Sequence, residues 1–305
     1  MISTAARSLG PEVGRRCAVT ARDRGDQVFG TAAPGQRWLL IEHPGPWPRR
    51  AFEASSALRE VAARAVREGA RAVLIRRPGR ARTAPARAAG DRSAPRAWAY
   101  VDARPGGEGV WWSEYSDERE LLDVPLGAGR SRSTEPIHLV CAHGKHDTCC
   151  AVEGRPVAAA LAAVTPATTW ECSHIGGDRF APNVVLLPHG FYYGNLDPDS
   201  AAGVVEAYRA GAVVPELLRG RSAFPPAVQA AQHYARSRTG ARGIDALDPL
   251  GVEQLDDRAT RVVLAAAPGH VILVTVRASW SAPAILSCAA GRPERARHFD
   301  LVDYR

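Results

Sequence analysis

The run HLVCAHGKHDTCCAVEGRPVAAAL, residues 138–161, decides how the chain is read. Its first residues continue a short apolar strand, Ile137–Val140, which delivers Cys141 to the strand's C-terminal end. Its last third, AVEGRPVAAAL, has helical character and predicts a helix beginning near Cys150. Between them lies a loop crowded with Cys149, Cys150, His143 and His146. Three of the chain's six cysteines fall in this window. A strand that hands one cysteine to a loop and a helix that begins on another place two thiols at one end of a sheet.

Working outward, TTWECSHIGGDRFAPN reads as a short strand running into a Gly-rich loop. VVLLPHG and FYYGNL read as a hairpin turning at His189–Gly190. DPDSAAGVVEAYRAG reads as a helix with an aspartate N-cap. The order β-α-β-β-β-α describes a small α/β sandwich of thioredoxin type over residues 131–240. Upstream, RWLLIEHP, FEASSALREVAARAVREG and RAVLIRR form a βαβ unit. AWAYVD and GVWWSEY follow as an antiparallel pair across the ARPGGE turn. These define a smaller α/β domain, residues 1–130, that repeats part of the later order. A short strand is expected near Gln27–Phe29. Downstream, AFPPAVQAAQHYARSRTG is a helix with Pro225–Pro226 in its first turn. Residues 241–305 form a β-rich extension built from ATRVVLAAA, HVILVTVRA, AILSCAA and RHFDLVDYR.

The composition is that of an ordinary globular protein: 46% hydrophobic and 23% charged. The N-terminus has no apolar run of the kind that marks a secretory signal, and no stretch approaches the ~20 apolar residues that span a bilayer. A cytoplasmic protein without membrane contact is expected, in which clustered cysteines are ligands or reactive thiols rather than disulfides. The net charge of +7 invites a nucleic-acid reading. The densest basic run, residues 76–96, has no interleaved aromatic residues for base stacking and is broken by Pro and Gly, so it reads as a solvated loop.

About twenty residues past Cys150 comes CSHIGGDRF, with Cys172, His174 and Asp178. In the topology above, all these residues fall at strand ends or a helix start on one sheet edge. Thiolate and imidazole donors suit iron–sulfur clusters and zinc alike. A helix start at Cys150 favours its thiolate, and Gly176–Gly177 allow close backbone approach. Singly, each residue has an ordinary reading. Cys149 and Cys150 are small buried hydrophobes, His143 and His146 loop residues, and Asp178 the partner of Arg179. Cys17 and Cys288 stand alone in the sequence and read as structural.

HLVCAHGKHDTCCAVEGRPVAAAL, WECSHIGGDRFAPNVVLLPHGFYYGNLDP and VPELLRGRS together resemble the sucrase/ferredoxin-like family over roughly residues 136–222. The resemblance implies a thioredoxin-like ferredoxin domain carrying a [2Fe–2S] cluster. It also implies that the cluster is held by two cysteines and two histidines. By the C-x8-C spacing the cysteines are Cys141 and Cys150. The first histidine of an H-x3-H pattern is His174, and the second falls on Asp178, a departure from the pattern. Cys172, two residues from His174, is the first substitute and Cys149 the next, which makes the expected set Cys141, Cys150, Cys172 and His174. Imidazole ligation leaves a cluster less negative and raises its potential. The expected partners are a reductase and an electron acceptor. The competing functions are a zinc site on the same ligands and a thiol oxidoreductase using Cys149 and Cys150. The second lacks a C-x-x-C motif, and vicinal cysteines bridge only with strain.

Overall fold

The computed structural model describes residues 15–79, 94–127, 132–267 and 269–305. Most of the arginine-rich run 76–96, and the domain boundary expected between residues 130 and 131, lie outside them. The protein is mixed α/β, with one large mixed sheet and a second, antiparallel sheet.

The large sheet contains nine strands: β1 (Arg37–Glu42), β2 (Arg71–Arg76), β3 (Arg96–Asp102), β4 (Gly109–Tyr115), β5 (Ile137–Cys141), β6 (Thr169–Cys172), β7 (Val184–Leu187), β8 (Phe191–Tyr193) and β9 (Leu218–Arg221). Their spatial order is β4-β3-β1-β2-β6-β5-β7-β8-β9. β1 pairs parallel with β2 and antiparallel with β3, which pairs with β4. β5 pairs parallel with β6 and antiparallel with β7, which pairs with β8. β1–β4 are therefore repeated by β5–β8, with β9 added at the edge beyond β8, and the two halves meet where β2 and β6 pair antiparallel. At that seam Ile75 lies opposite Cys172, and Arg76 forms an ion pair of 2.7 Å with Glu171 opposite it. The sheet is thus continuous across the boundary expected near residue 130.

α1 (Cys17–Arg24) precedes the sheet; α2 (Ser56–Arg67) joins β1 to β2, and α3 (Thr148–Val164) joins β5 to β6. Ser55 caps α2 by accepting from the Leu58 amide, and Gly69 follows its end with positive φ. Asp147 caps α3 by accepting from Cys149 N. α4 (Pro198–Arg209) starts from a capping box at Asp197 and Ser200. It buries Ala201, Val204, Val205 and Tyr208. α5 (Pro226–Thr239) packs on the second sheet, whose strands are β10 (Pro249–Gln254), β11 (Ala259–Ala267), β12 (His270–Trp280) and β13 (Arg297–Tyr304).

Two expectations are corrected here. Gln27–Phe29 forms no strand, and the N-terminal element is the helix α1 instead. The run AILSCAA at 284–290 also forms no strand. Beyond one bridge from Ala284 to Glu294 it is turn and bend, and it carries Cys288.

β5 also positions a histidine that titrates out of range. His138 is fully buried, and its Nδ1 lies 3.3 Å from the Thr165 hydroxyl and 3.4 Å from that of Thr168. Burial, helped by Arg209, pushes its pKa down from 6.5 to about 4. As pH falls, the unfolded chain takes up this proton first. The stabilisation is therefore complete above pH 6.5 and is lost as pH falls to about 4, a loss approaching about 3 kcal/mol. Unfolding free energies measured across that interval should fall with pH in the wild type and fall less steeply in His138→Gln. Equal slopes would remove His138 from the account.

Candidate functional site

The site is built where β5 ends, β6 ends and α3 begins. Cys141 closes β5, and its amide donates to the Asn183 carbonyl while Ala142 N donates to the Cys172 carbonyl. α3 crosses directly over this strand end because residue 154 is glycine. A Cβ there would collide with the Cys141 carbonyl oxygen. That close approach carries Cys150, in the first turn of α3, down onto Cys141. His174 follows β6. Its backbone amide donates to His143 Nδ1 (3.3 Å), so His143 carries its own proton on Nε2, which donates to the Pro48 carbonyl (2.8 Å). Trp47 packs edge-on against His143. The β1–α2 loop of the first half thereby braces the ligand loop of the second. His143, expected to be a loop residue in water, is buried, and burial pushes its pKa down to about 4.

The Gly176–Gly177 loop is held from the other side. Gly177 has φ +84°, and a Cβ on it would strike the buried Arg219 guanidinium. Arg219 donates to the Gly176 carbonyl (2.9 Å), Asn183 Oδ1 (2.7 Å) and the Thr31 carbonyl (2.6 Å). This clasp sets the position of Asp178, the next residue.

Cys141, Cys150 and His174 bring their donor atoms within 4.8 Å of one another, and His146, His174 and Asp178 form an adjoining group with His174 in common. Cys150 Sγ donates to Asp178 Oδ1 (3.3 Å), and His174 Nδ1 stands 3.0 Å from the same oxygen. The His146 ring stacks on His174 with centroids 3.7 Å apart. Asp178 does not pair with Arg179, which turns to Asp26 (3.3 Å). Cys172 lies opposite Cys141 in the β5–β6 register and joins the same apolar cluster as Cys141 and Cys150, but its sulfur belongs to neither donor group.

The electrostatics divide the donors. Contact with the Cys150 side chain, with His174 beside it, outweighs burial and holds the Cys141 thiol down to about 5. Cys150, facing that thiolate and buried, is pushed up, and burial raises Cys172 as well. Burial opposes charge on His174, yet Asp178 and Cys141 together lift it to about 9. Burial likewise opposes charge on Asp178, but His174 holds its carboxyl below the usual range. The arrangement is a buried anion–cation pair with unfilled donor capacity. His174 Nδ1 is buried without a hydrogen bond of acceptable geometry. Thiolate, imidazole and carboxylate converging in an apolar pocket are the donor types that hold an iron–sulfur cluster or zinc.

The adjacent sulfurs of Cys149 and Cys150 face different groups. Cys149 belongs with Cys17, Asp147 and Cys288. This second assembly was not legible in the sequence, where Cys17 and Cys288 read as isolated. Cys17 lies 130 residues before Asp147 and Cys288 lies 139 after Cys149, so no spacing pattern links either to the Asp147–Cys149 pair.

Among the described residues, no helix is long and apolar enough to cross a membrane. A protein-family model described as sucrase/ferredoxin-like matches residues 28–220. The chain is also similar to a protein of Meyerozyma guilliermondii named altered inheritance of mitochondria protein 32, with 28% identity over 98 residues. That match covers 28% of this chain and 35% of the relative, so the chain spans about a third of the relative's length. No solved structure matches the chain at a significant level.

Proposed function

The chain belongs to the sucrase/ferredoxin-like family, and from that premise we propose that it is an electron-transfer protein carrying a [2Fe–2S] cluster on Cys141, Cys150 and His174. The observation that supports this most is the convergence within 4.8 Å, at one sheet end, of an imidazole and two thiols that belong to an apolar cluster. Such a cluster accepts and releases single electrons, and a histidine in its ligand set raises its potential above that of an all-thiolate centre. The chain's own contribution is to hold the donors. α3 presses Cys150 onto Cys141, the His143–Pro48 bridge fixes the backbone of His174, and Arg219 clasps the Gly-rich loop. The surrounding order β5-α3-β6-β7-β8-α4 is that of a thioredoxin-like ferredoxin domain. Its partners are a reductase and an electron acceptor, with the protein acting in the cytoplasm.

The fourth ligand falls to Cys172, behind Cys141 in the same cluster, or to Asp178, which touches both Cys150 and His174. Anaerobic purification should yield a red-brown protein with about two irons and two acid-labile sulfides per chain. Cys172→Ser and Asp178→Asn then separate the candidates, since the variant that loses iron identifies the ligand. Stoichiometric zinc bound by Cys141 and Cys150, with no acid-labile sulfide, would reject the proposal.

A further inference from the structure

Outside the ferredoxin-like site, the three remaining cysteines meet at one point. Cys17 Sγ lies 3.6 Å from Cys149 Sγ, Cys149 Sγ 3.4 Å from Cys288 Sγ, and Cys288 Sγ 3.5 Å from Cys17 Sγ. The triangle is nearly equilateral. Asp147 closes the assembly, with Oδ2 3.7 Å and Oδ1 3.9 Å from the Cys17 sulfur. From these contacts we infer that Cys17, Cys149, Cys288 and Asp147 form a second metal site, which takes a single Zn²⁺ and ties the two ends of the chain to the start of α3.

The geometry carries the choice of metal. Zinc in a tetrahedral thiolate site has Zn–S bonds of ~2.3 Å, which puts sulfurs about 3.8 Å apart. A carboxylate oxygen on the same ion stands roughly 3.5 Å from each sulfur. The observed contacts lie close to those values: the sulfurs, 3.4–3.6 Å apart, need a small expansion, and the Asp147 oxygens, 3.7 and 3.9 Å from Cys17 Sγ, a small approach. A disulfide would satisfy two of the thiols and strand the third. Three thiolates with one oxygen also suit a borderline-soft ion better than magnesium or calcium, which take oxygen ligands.

Two features of the surroundings suit thiolates. Cys17 is the first residue of α1 and Cys149 the second of α3, so the positive ends of two helices converge on the sulfurs. The Cys17 amide donates to Cys288 Sγ at 3.4 Å, the kind of backbone contact that supports a sulfur carrying negative charge. Asp147 is fixed as a ligand would be. It is buried, and it accepts from the amides of Cys149 (2.8 Å) and Cys288 (2.6 Å) and from the Ser287 hydroxyl (2.9 Å). Oδ2 accepts two of these bonds, and Oδ1, which accepts one, keeps a further lone pair for the ion.

The site explains a segment that is otherwise poorly anchored. Residues 281–296 form no strand, and hydrogen bonds to Asp147 hold Cys288 in place. An ion shared by residues 17, 149 and 288 closes loops of well over a hundred residues. It also fixes the first turn of α3, where Cys150 sits next to Cys149.

Zinc and iron are read together in the wild-type protein by elemental analysis, so each site reports separately. The expected result is about one zinc per chain, which Cys17→Ser and Cys288→Ser each lose while keeping iron and the visible spectrum. Zinc K-edge absorption on the unmutated protein guards against a folding defect in the variants. It should give three sulfurs at about 2.3 Å and one oxygen at about 2.0 Å. The proposal fails if zinc is absent and three thiols titrate freely, if a disulfide joins any two of the three cysteines, or if zinc persists in both variants. It also fails if iron and sulfide exceed two per chain and fall in Cys17→Ser, which would make the site a second cluster.

Discussion

Cys150→Ser is expected to remove the iron completely, from about two atoms per chain to none. Cys150 is fully buried in the first turn of α3, with Cys141 and Asp178 against its sulfur. A serine there offers a shorter, harder donor, and Cys141 is then the one thiol left in that donor group among the described residues. The hydroxyl can still donate to Asp178, so the fold should survive with a cost of about 1–3 kcal/mol for imperfect pairing. Circular dichroism separates this from unfolding. Cys149→Ser is the control: its sulfur faces Cys17 and Cys288, and the iron should stay. Full iron occupancy in Cys150→Ser would instead show that Cys149 turns inward and serves as the ligand.

Gly154→Ala should be nearly as damaging, although residue 154 offers no ligand atom. In most helices this exchange gains about 1 kcal/mol of helix propensity. Here the added methyl meets the Cys141 carbonyl oxygen, a backbone atom with no rotamer to yield. Overpacking of that kind costs about 1–3 kcal/mol, and relief requires α3 to move away from β5. Such a movement separates Cys150 from Cys141. The expected outcome is retained helical signal, a lower unfolding midpoint and iron content reduced by more than half. A variant with wild-type stability and full iron would mean that α3 does not set the sulfur pair.

Much of this arrangement was legible in residues 136–222 because local signals and chemistry agreed there. A short apolar strand ended on Cys141, a helix was expected from near Cys150, and Gly176–Gly177 marked a close approach. The βαβ unit of residues 37–76 was equally readable, since β1 and β2 are continuous apolar runs and α2 carries an apolar stripe at helical spacing. The junction of β2 with β6 left no signal, because two edge strands that pair over Ile75–Cys172 and Arg76–Glu171 need no distinctive residues. α1 was missed because it buries Cys17, Ala18, Thr20 and Ala21, which make no apolar stripe. Cys288 was hidden in AILSCAA, which has strand-like composition but is held by hydrogen bonds from Ser287 and Cys288 to Asp147, 140 residues away. Side chains that meet only through the tertiary fold leave no spacing to read. For the same reason Asp178 read as the partner of its neighbour Arg179, whereas it faces His146, His174 and Cys150.

The central claim is a [2Fe–2S] cluster with histidine among its ligands, and electron paramagnetic resonance of the dithionite-reduced protein tests it most directly. The account predicts one spin-half signal for every two irons, with a nitrogen coupling from the His174 imidazole that disappears in His174→Cys while the signal itself remains. A protein that gives no such signal after anaerobic purification, or one whose signal carries no nitrogen coupling before the exchange, would contradict it.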